Sequence, residues 1–259
     1  MRILTAVPVY NEERYVADVL ERIRRYCAEI LVIDDGSTDH TAEILRQLAR
    51  RFTSPGSLRI ITHERNRGYG AALISAFRFA VSSDIDVLIT MDCDGQHEPA
   101  RIPVLLEALH DADIVSGSRY LRDFRQNTLP PADRLRINQQ ITQELNARFG
   151  LHLTDSFCGF KAYRVDALAR LHITETGWGM PLQLWVQAAK LGLRIKEVGV
   201  PRLYLDPNRA FGGVLDDAEE RLAYYRRVID QASAGDVQPA KPLPCSCSDV
   251  LPRPAPGMD

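Results

Sequence analysis

Short apolar runs alternate with amphipathic stretches through the first half of this 259-residue chain. The runs ILTAVPV, EILVID and DVLITM have the length and apolar character of buried strands. Between them, ERYVADVLERIRRY and HTAEILRQLARRF repeat apolar residues at helical spacing. This alternation predicts an α/β fold, a doubly wound and mostly parallel sheet with helices on both faces. Ligands of such sheets bind beyond the carboxyl ends of the strands.

The second half of the chain is less regular. Helical patterns cover about residues 133–149, 181–192 and 214–230, and GFKAYRV and IKEVGVPRLYL are strand-like. In the last helix, core packing explains an apolar stripe more simply than a membrane surface does; the stripe is Val214, Leu215, Leu222, Tyr225 and Ile229. From Ser233 onwards the chain is rich in Pro, Ala, Gly and Ser. We therefore predict one domain over residues 1–232 and a disordered tail over 233–259.

Polar residues follow four of the predicted strands at the point where each strand ends. PVYNE closes the first strand, DDGS the second, DCDG the fourth and GSR the fifth. Because the carboxyl ends of parallel strands meet at one edge of the sheet, these groups should lie together. The sequence therefore predicts a binding site at this edge, although Asp34 has capping of the next turn as an alternative role.

The motif MDCDGQH places two carboxylates, an amide and an imidazole within six positions after a buried strand; these are Asp92, Asp94, Gln96 and His97. Two carboxylates this close repel each other unless a positive group lies between them. A hard divalent cation with oxygen ligands would remove the repulsion. The alternative is an acidic turn with Asp94 and Gly95 at its corner and no chemistry.

Composition excludes several classes of protein. A formal net charge of -2 gives no reason to expect a nucleic-acid partner. The sequence predicts no transmembrane segment, since no run approaches the roughly 20 apolar residues that a spanning helix needs. The apolar start is too short for a signal peptide, and five cysteines, an odd number, suit free thiols in a reducing compartment. We therefore expect a cytoplasmic protein.

In their order and spacing, PVYNE, DDGSTD, NRGYGAA, MDCDGQH and GSRY resemble the family 2 glycosyltransferases of the GT-A fold. Within that family the chain is most similar to the dolichyl- and polyprenyl-phosphate mannosyltransferase and glucosyltransferase branch, over residues 1 to about 213. The resemblance implies inverting, metal-dependent transfer from a GDP- or UDP-sugar to an acceptor, with a polyprenyl phosphate as one acceptor. It also implies a nucleotide-sugar half over about 1–120, an acceptor half over about 121–232, and peripheral contact with the inner face of the membrane.

The resemblance assigns the donor-binding residues position by position. Asp92, Asp94 and Gln96 match the motif for the diphosphate and for Mg²⁺ or Mn²⁺, with Asp94 as the direct ligand. Asp35 matches the residue that reads the base edge. The remaining nucleotide-sugar residues are Pro8, Tyr10, Glu12, Asn66, Gly68 and Arg209. Glycines in NRGYGAA would let the backbone approach a ligand at a helix N-terminus.

The acceptor side is expected to be rich in arginine. Arg119, directly after a buried strand, suits two-point binding of a phosphate, and Arg134 matches an arginine that contacts the acceptor phosphate in the polyprenyl-phosphate branch. Trp185 stands where many relatives carry an acid. A phosphate acceptor is already anionic and needs no base, so the missing acid favours a phosphate. Asp155 is the competing candidate, as a base or an acceptor-orienting residue.

Two other functions are weighed against this one. A non-catalytic nucleotide-sugar binding protein is favoured by the missing acid at Trp185 and opposed by the intact acid pair. A sugar-1-phosphate nucleotidyltransferase needs a glycine-rich and basic loop directly after the first strand, and PVYNEER does not supply one. No GxGxxG follows that strand either, which disfavours a dinucleotide-binding dehydrogenase.

Overall fold

The computed structural model describes residues 1–52, 54, 57–205 and 210–235. Within these residues, seven strands form one sheet in the order β3-β2-β1-β4-β6-β5-β7. The strands are β1 (Ile3–Val9), β2 (Glu29–Asp34), β3 (Leu58–Thr62), β4 (Val87–Thr90), β5 (Ile114–Ser118), β6 (Lys161–Arg164) and β7 (Ile195–Gly199). Parallel pairing joins β1 to β2 and β4, β2 to β3, and β5 to β7, so the predicted parallel sheet is confirmed.

Strand β6 departs from the predicted alternation. It lies antiparallel between β4 and β5, pairing Thr90 with Lys161 on one side and Ser116 with Lys161 on the other. Because β6 runs opposite to both neighbours, β4 and β5 remain parallel to each other. The ends of β1, β2, β4 and β5 therefore lie on one edge of the sheet, as predicted.

Helices cover both faces of the sheet, as predicted. The helices are α1 (Val16–Ile23), α2 (Thr41–Arg51), α3 (Tyr69–Val81), α4 (Ile102–Ala108), α5 (Ala132–Phe149), α6 (Val165–Leu168), α7 (Met180–Lys190) and α8 (Ala218–Ala234). Apolar residues of α1, α2 and α4 pack on one face, and those of α3, α5, α7 and α8 pack on the other. Local contacts mark the ends of two of these helices. At the start of α2, Oδ1 of Asp39 accepts from the backbone N–H of Thr41 at 2.9 Å. Helix α5 ends where Gly150 takes φ 65°.

The last helix begins later and ends later than the sequence predicts. Residues Gly213–Asp216 form a short 3-10 turn, and α8 starts at Ala218 because the Asp217 side chain caps it. Core packing is confirmed for Leu222, Tyr225 and Ile229, which are buried, whereas Val214 is 75% exposed.

Helix α8 ends at Ala234, so it extends past residue 233, where the tail was predicted to start. Ser233 lies within the helix, and Nζ of Lys190 donates to its carbonyl at 2.6 Å. The tail prediction for residues 236–259 lies outside the described residues, and the division of the domain near residue 120 stays a prediction.

Two further predictions concern membrane spans and thiols. No helix in the described part of the chain is both long and apolar enough to cross a membrane. Cys27, Cys93 and Cys158 are buried free thiols, as expected, and the other two cysteines lie outside the described residues.

Candidate active site

A cavity of about 650 Å³ opens at the carboxyl edge of the sheet. It collects most of the residues that the sequence predicts for the site: Pro8, Tyr10, Glu12, Asp35, Asn66, Gly68, Asp92, Asp94, Gln96, Arg119 and Arg134. Two predicted residues are not among those that line it. Asp155 is fully buried behind the wall, and Arg209 lies outside the described residues.

The loops after β1 and β2 hold each other in place. Asn11 adopts φ 54°, a left-handed conformation that asparagine tolerates better than most residues. Its Oδ1 accepts from the backbone N–H of Thr38 at 2.8 Å, and its own N–H donates to Oγ of Ser37 at 3.0 Å. Asp34 caps this turn through the N–H of Ser37 at 3.0 Å, which is the simpler role considered for it. Between these anchored loops, Tyr10 is 42% exposed at the cavity wall, where its ring can stack on a planar group.

The carboxylate of Asp35 fastens the NRGYG segment to β2. Oδ2 accepts from the N–H of Gly68 at 2.8 Å and from that of Arg67 at 3.1 Å. Oδ1 accepts from Arg67 at 3.0 Å and lies 2.5 Å from Nδ1 of His63. Four contacts match the roughly four acceptor positions of a carboxylate. Asp35 therefore positions a loop, and its reading of the base edge stays a prediction.

The glycines of NRGYG approach another part of the chain. Gly68 has φ 102°, and a Cβ built there would lie 2.5 Å from the carbonyl oxygen of Thr176. The N–H of Ala71 donates to the same oxygen at 3.0 Å. The close backbone approach that the sequence predicts is therefore made to residues 175–177 as well as to the cavity, and it fixes the start of α3 against the segment before α7.

Asp92 and Asp94 follow β4 and face the cavity. Oδ1 of Asp92 accepts from the hydroxyl of Tyr69 at 3.0 Å, and Oδ1 of Asp94 accepts from the backbone N–H of Gln96 at 3.0 Å. Burial and the neighbouring charge of Asp92 raise the pKa of Tyr69 well above its usual value, so the phenol stays a donor. Tyr69 is a site residue that was not predicted from the sequence, although it stands between Gly68 and Gly70 in NRGYG.

Gly159 makes room for the Asp92 carboxylate. A Cβ on Gly159 would lie 2.5 Å from Oδ1 of Asp92 and closer still to Oδ2. The carbonyl of Gly159 accepts from Oγ1 of Thr90 at 2.8 Å, which keeps β6 close to the end of β4. No sequence signal marked this glycine, because its partner Asp92 lies 67 residues earlier in the chain, in the loop after β4.

The donor set fits a hard divalent cation. Two carboxylates and one amide oxygen are the ligand types that Mg²⁺ and Mn²⁺ prefer. Within the described residues, no three His, Cys, Asp or Glu side chains form a group that could hold a metal ion. Asp92, Asp94 and Gln96 all line the cavity, and their role as metal ligands stays a prediction.

Asp155 and Arg119 form an ion pair at the wall of the cavity. Nε of Arg119 donates to Oδ2 at 2.7 Å and Nη2 donates to Oδ1 at 2.9 Å, while the Asn138 amide donates to Oδ1 at 2.7 Å. Burial alone would raise the pKa of Asp155, but the charge of Arg119 and these hydrogen bonds lower it to about 2. A carboxylate held in this way is a weak base, and Asp155 is not among the residues that line the cavity. It holds Arg119 through two hydrogen bonds, and its predicted role as a base or an acceptor-orienting residue stays a prediction.

Two further arginines share one aromatic ring in the cavity. The guanidinium carbons of Arg134 and Arg221 lie 4.7 and 4.5 Å from the ring centroid of Phe211. Arg221 is 2% exposed, pairs with Asp133 and donates from Nη1 to the carbonyl of Leu215 at 2.7 Å. Arg221 was missed from the sequence. The sequence feature that could have indicated it is its position directly before Leu222, in the apolar stripe of the last helix.

The position of Trp185 does not support the prediction of a phosphate acceptor that was drawn from this residue. Its side chain is fully buried, and Nε1 donates to the carbonyl of Ser156 at 2.9 Å, so this residue packs in the core and does not line the cavity. The absence of an acid at this position therefore carries no information about the acceptor. Trp178 lines the cavity instead. Its ring stacks on that of Tyr69 with the centroids 5.0 Å apart, and its Nε1 donates to the backbone carbonyl of Phe211 at 3.2 Å.

The part of the chain that carries most of these cavity residues is similar to known proteins. The model of glycosyl transferase family 2 matches residues 5–171. An undecaprenyl-phosphate mannosyltransferase of Micrococcus luteus is 33% identical over 225 residues, which are 84% of this chain and 91% of that protein. A polyprenol monophosphomannose synthase of Mycolicibacterium smegmatis is 28% identical over 205 residues, or 77% of this chain and 76% of that protein.

The fold is similar to solved structures of glucosyl-3-phosphoglycerate synthase from Mycobacterium tuberculosis. The complex of that enzyme with UDP has a TM-score of 0.67 at 19% identity, covering 90% of this chain and 80% of that chain. Other structures of the same enzyme contain UDP with Mn²⁺ or with Mg²⁺. At this level of identity the likeness concerns the fold, and it confirms the predicted GT-A architecture.

Proposed function

This chain belongs to glycosyltransferase family 2, and we propose that it transfers a sugar from a nucleotide-diphosphate sugar to the phosphate of a polyprenyl phosphate. The observation that carries the proposal is the joint arrangement of charge in one cavity. Acidic oxygen ligands after β4 share that cavity with arginines from the end of β5, from α5 and from α8. A donor diphosphate and an anionic acceptor need these two kinds of group.

The acid pair would serve the donor. Asp92, Asp94 and Gln96 would hold Mg²⁺ or Mn²⁺, which when bound acts as a Lewis acid toward the negative charge of the departing diphosphate. Tyr69 and Gly159 keep the Asp92 carboxylate in place for that task. The UDP complexes of the Mycobacterium tuberculosis synthase with Mn²⁺ and Mg²⁺ support a divalent cation at this kind of site.

The arginines would serve the acceptor. Arg119, Arg134 and Arg221 all line the cavity, and Arg134 and Arg221 are held on one ring, so an anionic acceptor would meet positive charge there. A planar guanidinium suits a phosphate far better than it suits a hydroxyl group. The names of the Micrococcus luteus and Mycolicibacterium smegmatis relatives, which specify undecaprenyl phosphate and a polyprenol monophosphate sugar, agree with this choice.

The reaction is a single displacement. An oxygen of the acceptor phosphate attacks the anomeric carbon, the bond from that carbon to the diphosphate breaks, and the nucleoside diphosphate leaves with the electron pair. The acceptor oxygen carries no proton at neutral pH, so the step needs no general base. The burial of Asp155 behind Arg119 is in keeping with that, and inversion at the anomeric carbon is the outcome expected for one displacement.

The test compares donors first and acceptors second. The purified protein is incubated with Mn²⁺ and GDP-mannose, GDP-glucose, UDP-glucose or UDP-N-acetylglucosamine, and release of the nucleoside diphosphate identifies the donor. With that donor, undecaprenyl phosphate is compared with undecaprenol. Product formed with the phosphate and not with the alcohol supports the proposal. Product formed with the alcohol alone would overturn it.

A further inference from the structure

Three polar residues form a line of hydrogen bonds next to the cavity. Nδ1 of His63 lies 2.5 Å from Oδ1 of Asp35, and Nε2 of His63 lies 2.9 Å from Oγ of Ser75. His63 is 7% exposed and Asp35 3%, so their contact is shielded from water. Asp35 lines the cavity, whereas His63 and Ser75 do not. We call Asp35, His63 and Ser75 the imidazole bridge.

The partners of the imidazole ring fix where its protons lie. A carboxylate only accepts hydrogen bonds, so Nδ1, which faces Asp35, carries a proton. In the neutral ring Nε2 is then an acceptor, and the hydroxyl of Ser75 donates to it. Donation therefore runs from Ser75 to His63 to Asp35 and ends on the carboxylate.

His63 and Ser75 lie on either side of the connection between β3 and α3. His63 directly follows β3, and its backbone N–H donates to the carbonyl of Asp34 at 2.9 Å. Ser75 lies on α3, which begins at Tyr69. The bond between the two side chains therefore closes residues 64–68 into a loop that is held at both ends.

This loop carries backbone groups of the cavity wall. Asn66 and Gly68 line the cavity, and the N–H of Gly68 donates to Oδ2 of Asp35 at 2.8 Å. The loop also packs on the turn after β2. A Cβ built on Gly36 would lie 2.5 Å from the carbonyl carbon of Arg65 and 2.8 Å from the backbone nitrogen of Asn66. The orientation of the Asp35 carboxylate therefore sets the position of the backbone in this part of the wall.

We propose that His63 is a positioning residue for the nucleotide part of the donor. It holds the Asp35 carboxylate in the orientation that accepts from Gly68, and Ser75 fixes the other side of the ring. This inference rests on the proposed function, which gives the cavity a nucleotide-diphosphate sugar as its ligand. A wall that is already held in place loses little freedom when a ligand binds, which favours affinity.

The same three residue types form the catalytic triad of many hydrolases, in which histidine takes the proton of a serine nucleophile. Two observations oppose such an activity here. Ser75 lies in the interior of α3 and does not line the cavity, so a substrate bound in the cavity does not meet its hydroxyl. Asp35 is also engaged by the backbone N–H groups of Arg67 and Gly68. The imidazole bridge is therefore suited to holding a loop.

A pair of substitutions at His63 tests the proposal. The side-chain amide of asparagine takes the place of Nδ1, and that of glutamine takes the place of Nε2. His63→Asn therefore keeps a donor for Asp35 and loses Ser75, whereas His63→Gln keeps a partner for Ser75 and loses Asp35. Both variants remove the ring, so a role in packing alone predicts equal effects.

The readout is binding of UDP and of GDP in the presence of Mn²⁺, measured by calorimetry. We expect His63→Gln to bind the preferred nucleotide about tenfold more weakly, because a hydrogen bond to a charged group is worth about that factor. His63→Asn and Ser75→Ala should each lose about threefold or less, since they break only the bond between two neutral groups. Equal affinities for His63→Asn and His63→Gln would overturn the proposal.

Two exposed residues supply matched controls. His110 precedes β5, at the end of that strand away from the cavity, and Ser82 directly follows α3. His110→Gln and Ser82→Ala should bind UDP and GDP as the unaltered chain does. A loss in His110→Gln as large as that in His63→Gln would overturn the assignment to His63.

A measurement without nucleotide keeps this inference distinct from the proposed function. Hydrogen exchange of the Gly68 amide, followed by NMR, should be faster in His63→Gln than in His63→Asn, because only the first variant loses the bond to Asp35. Equal exchange rates would overturn the role of His63 in holding the loop. Binding of neither UDP nor GDP by the unaltered chain would overturn the proposed function instead, and the exchange rates would still decide the role of His63.

Discussion

Arg119 and Asp155 contact each other through two parallel hydrogen bonds, from Nε to Oδ2 at 2.7 Å and from Nη2 to Oδ1 at 2.9 Å. The Arg119 side chain is 17% exposed and that of Asp155 is not exposed at all. One partner lines the cavity and the other fixes it from behind. The pair therefore connects the stability of the fold to the position of a cation in the site.

Replacement of Asp155 by Asn should destabilise the fold. The variant leaves the guanidinium of Arg119 nearly buried without its counter-charge, and removing one partner of such a pair costs about 3–5 kcal/mol. Urea unfolding followed by circular dichroism measures the loss. The control is Asp111→Asn, which breaks an exposed pair with Lys196 and should cost less than about 1 kcal/mol. If Asp155→Asn were as stable as the unaltered chain but inactive, the role of Asp155 as a base would regain support.

The same pair predicts a dependence of stability on pH. The pKa of Asp155 is about 2 in the fold, against an ordinary value of roughly 3.9 in an unfolded chain. Because the folded pKa is the lower one, the pair stabilises the fold fully above the unfolded pKa, and this contribution is lost as the pH falls through the folded pKa. The difference in unfolding free energy between the unaltered chain and Asp155→Asn should therefore shrink from about pH 5 to about pH 2. A constant difference would contradict this.

Gly159→Ala should impair the metal site. The new methyl group would lie 2.5 Å from Oδ1 of Asp92, so the carboxylate must leave the Tyr69 hydroxyl. Groups that orient metal ligands are typically worth 10–100-fold in metal affinity. We expect Mn²⁺ affinity, measured by calorimetry, to fall by about tenfold or more.

The control for this variant is Gly150→Ala. A Cβ at Gly150 meets no atom within 4 Å, and its φ of 65° is left-handed. Alanine there should cost about 1–2 kcal/mol in stability through backbone strain and leave Mn²⁺ binding unchanged. Equal Mn²⁺ affinities for the two variants would show that Asp92 needs no support from Gly159.

Asp94→Ala should abolish sugar transfer and the slow hydrolysis of the donor while leaving the fold intact. Asp94 lies in the loop after β4, is half-buried and lines the cavity, so we expect little loss of core packing when its side chain is shortened. The measurement is release of the nucleoside diphosphate with Mn²⁺ present, beside a thermal unfolding curve. Turnover near that of the unaltered chain would remove Asp94 from the proposed metal site.

The strand ends of the site could be predicted from the sequence, since a polar cluster directly after a buried apolar run has a single place in a parallel sheet. Asp92 and Asp94 were found in this way. The same kind of local pattern could not place β6. The segment GFKAYRV indicates a strand, but it carries no information about which strands pair with it or in which direction. Gly159 and Tyr69 depend on contacts with Asp92 across the fold, and such contacts leave no local signal.

The side of α7 on which Trp185 lies could not be predicted from the sequence. Trp185 was matched to an acidic position, but the rotation of α7 turns it into the core, where it donates to Ser156. Trp178, just before the helix begins, lies on the cavity side. One residue of offset on a helix turns a side chain by about 100°, and a sequence match alone does not fix that rotation.

Arg134→Ala tests the acceptor side of the proposal. Arg134 lies 4.7 Å from the ring of Phe211 in the cavity, and a charge-assisted hydrogen bond to the acceptor phosphate is worth roughly 1.5–3 kcal/mol. We expect kcat/KM for the acceptor to fall by about tenfold or more, with donor binding by calorimetry unchanged. The control is Arg136→Ala on the same helix, because Arg136 is exposed, pairs with Glu219 and does not line the cavity. Equal acceptor kinetics for the two variants would show that Arg134 does not bind the acceptor, and a loss of donor affinity in Arg134→Ala would move this arginine to the donor side.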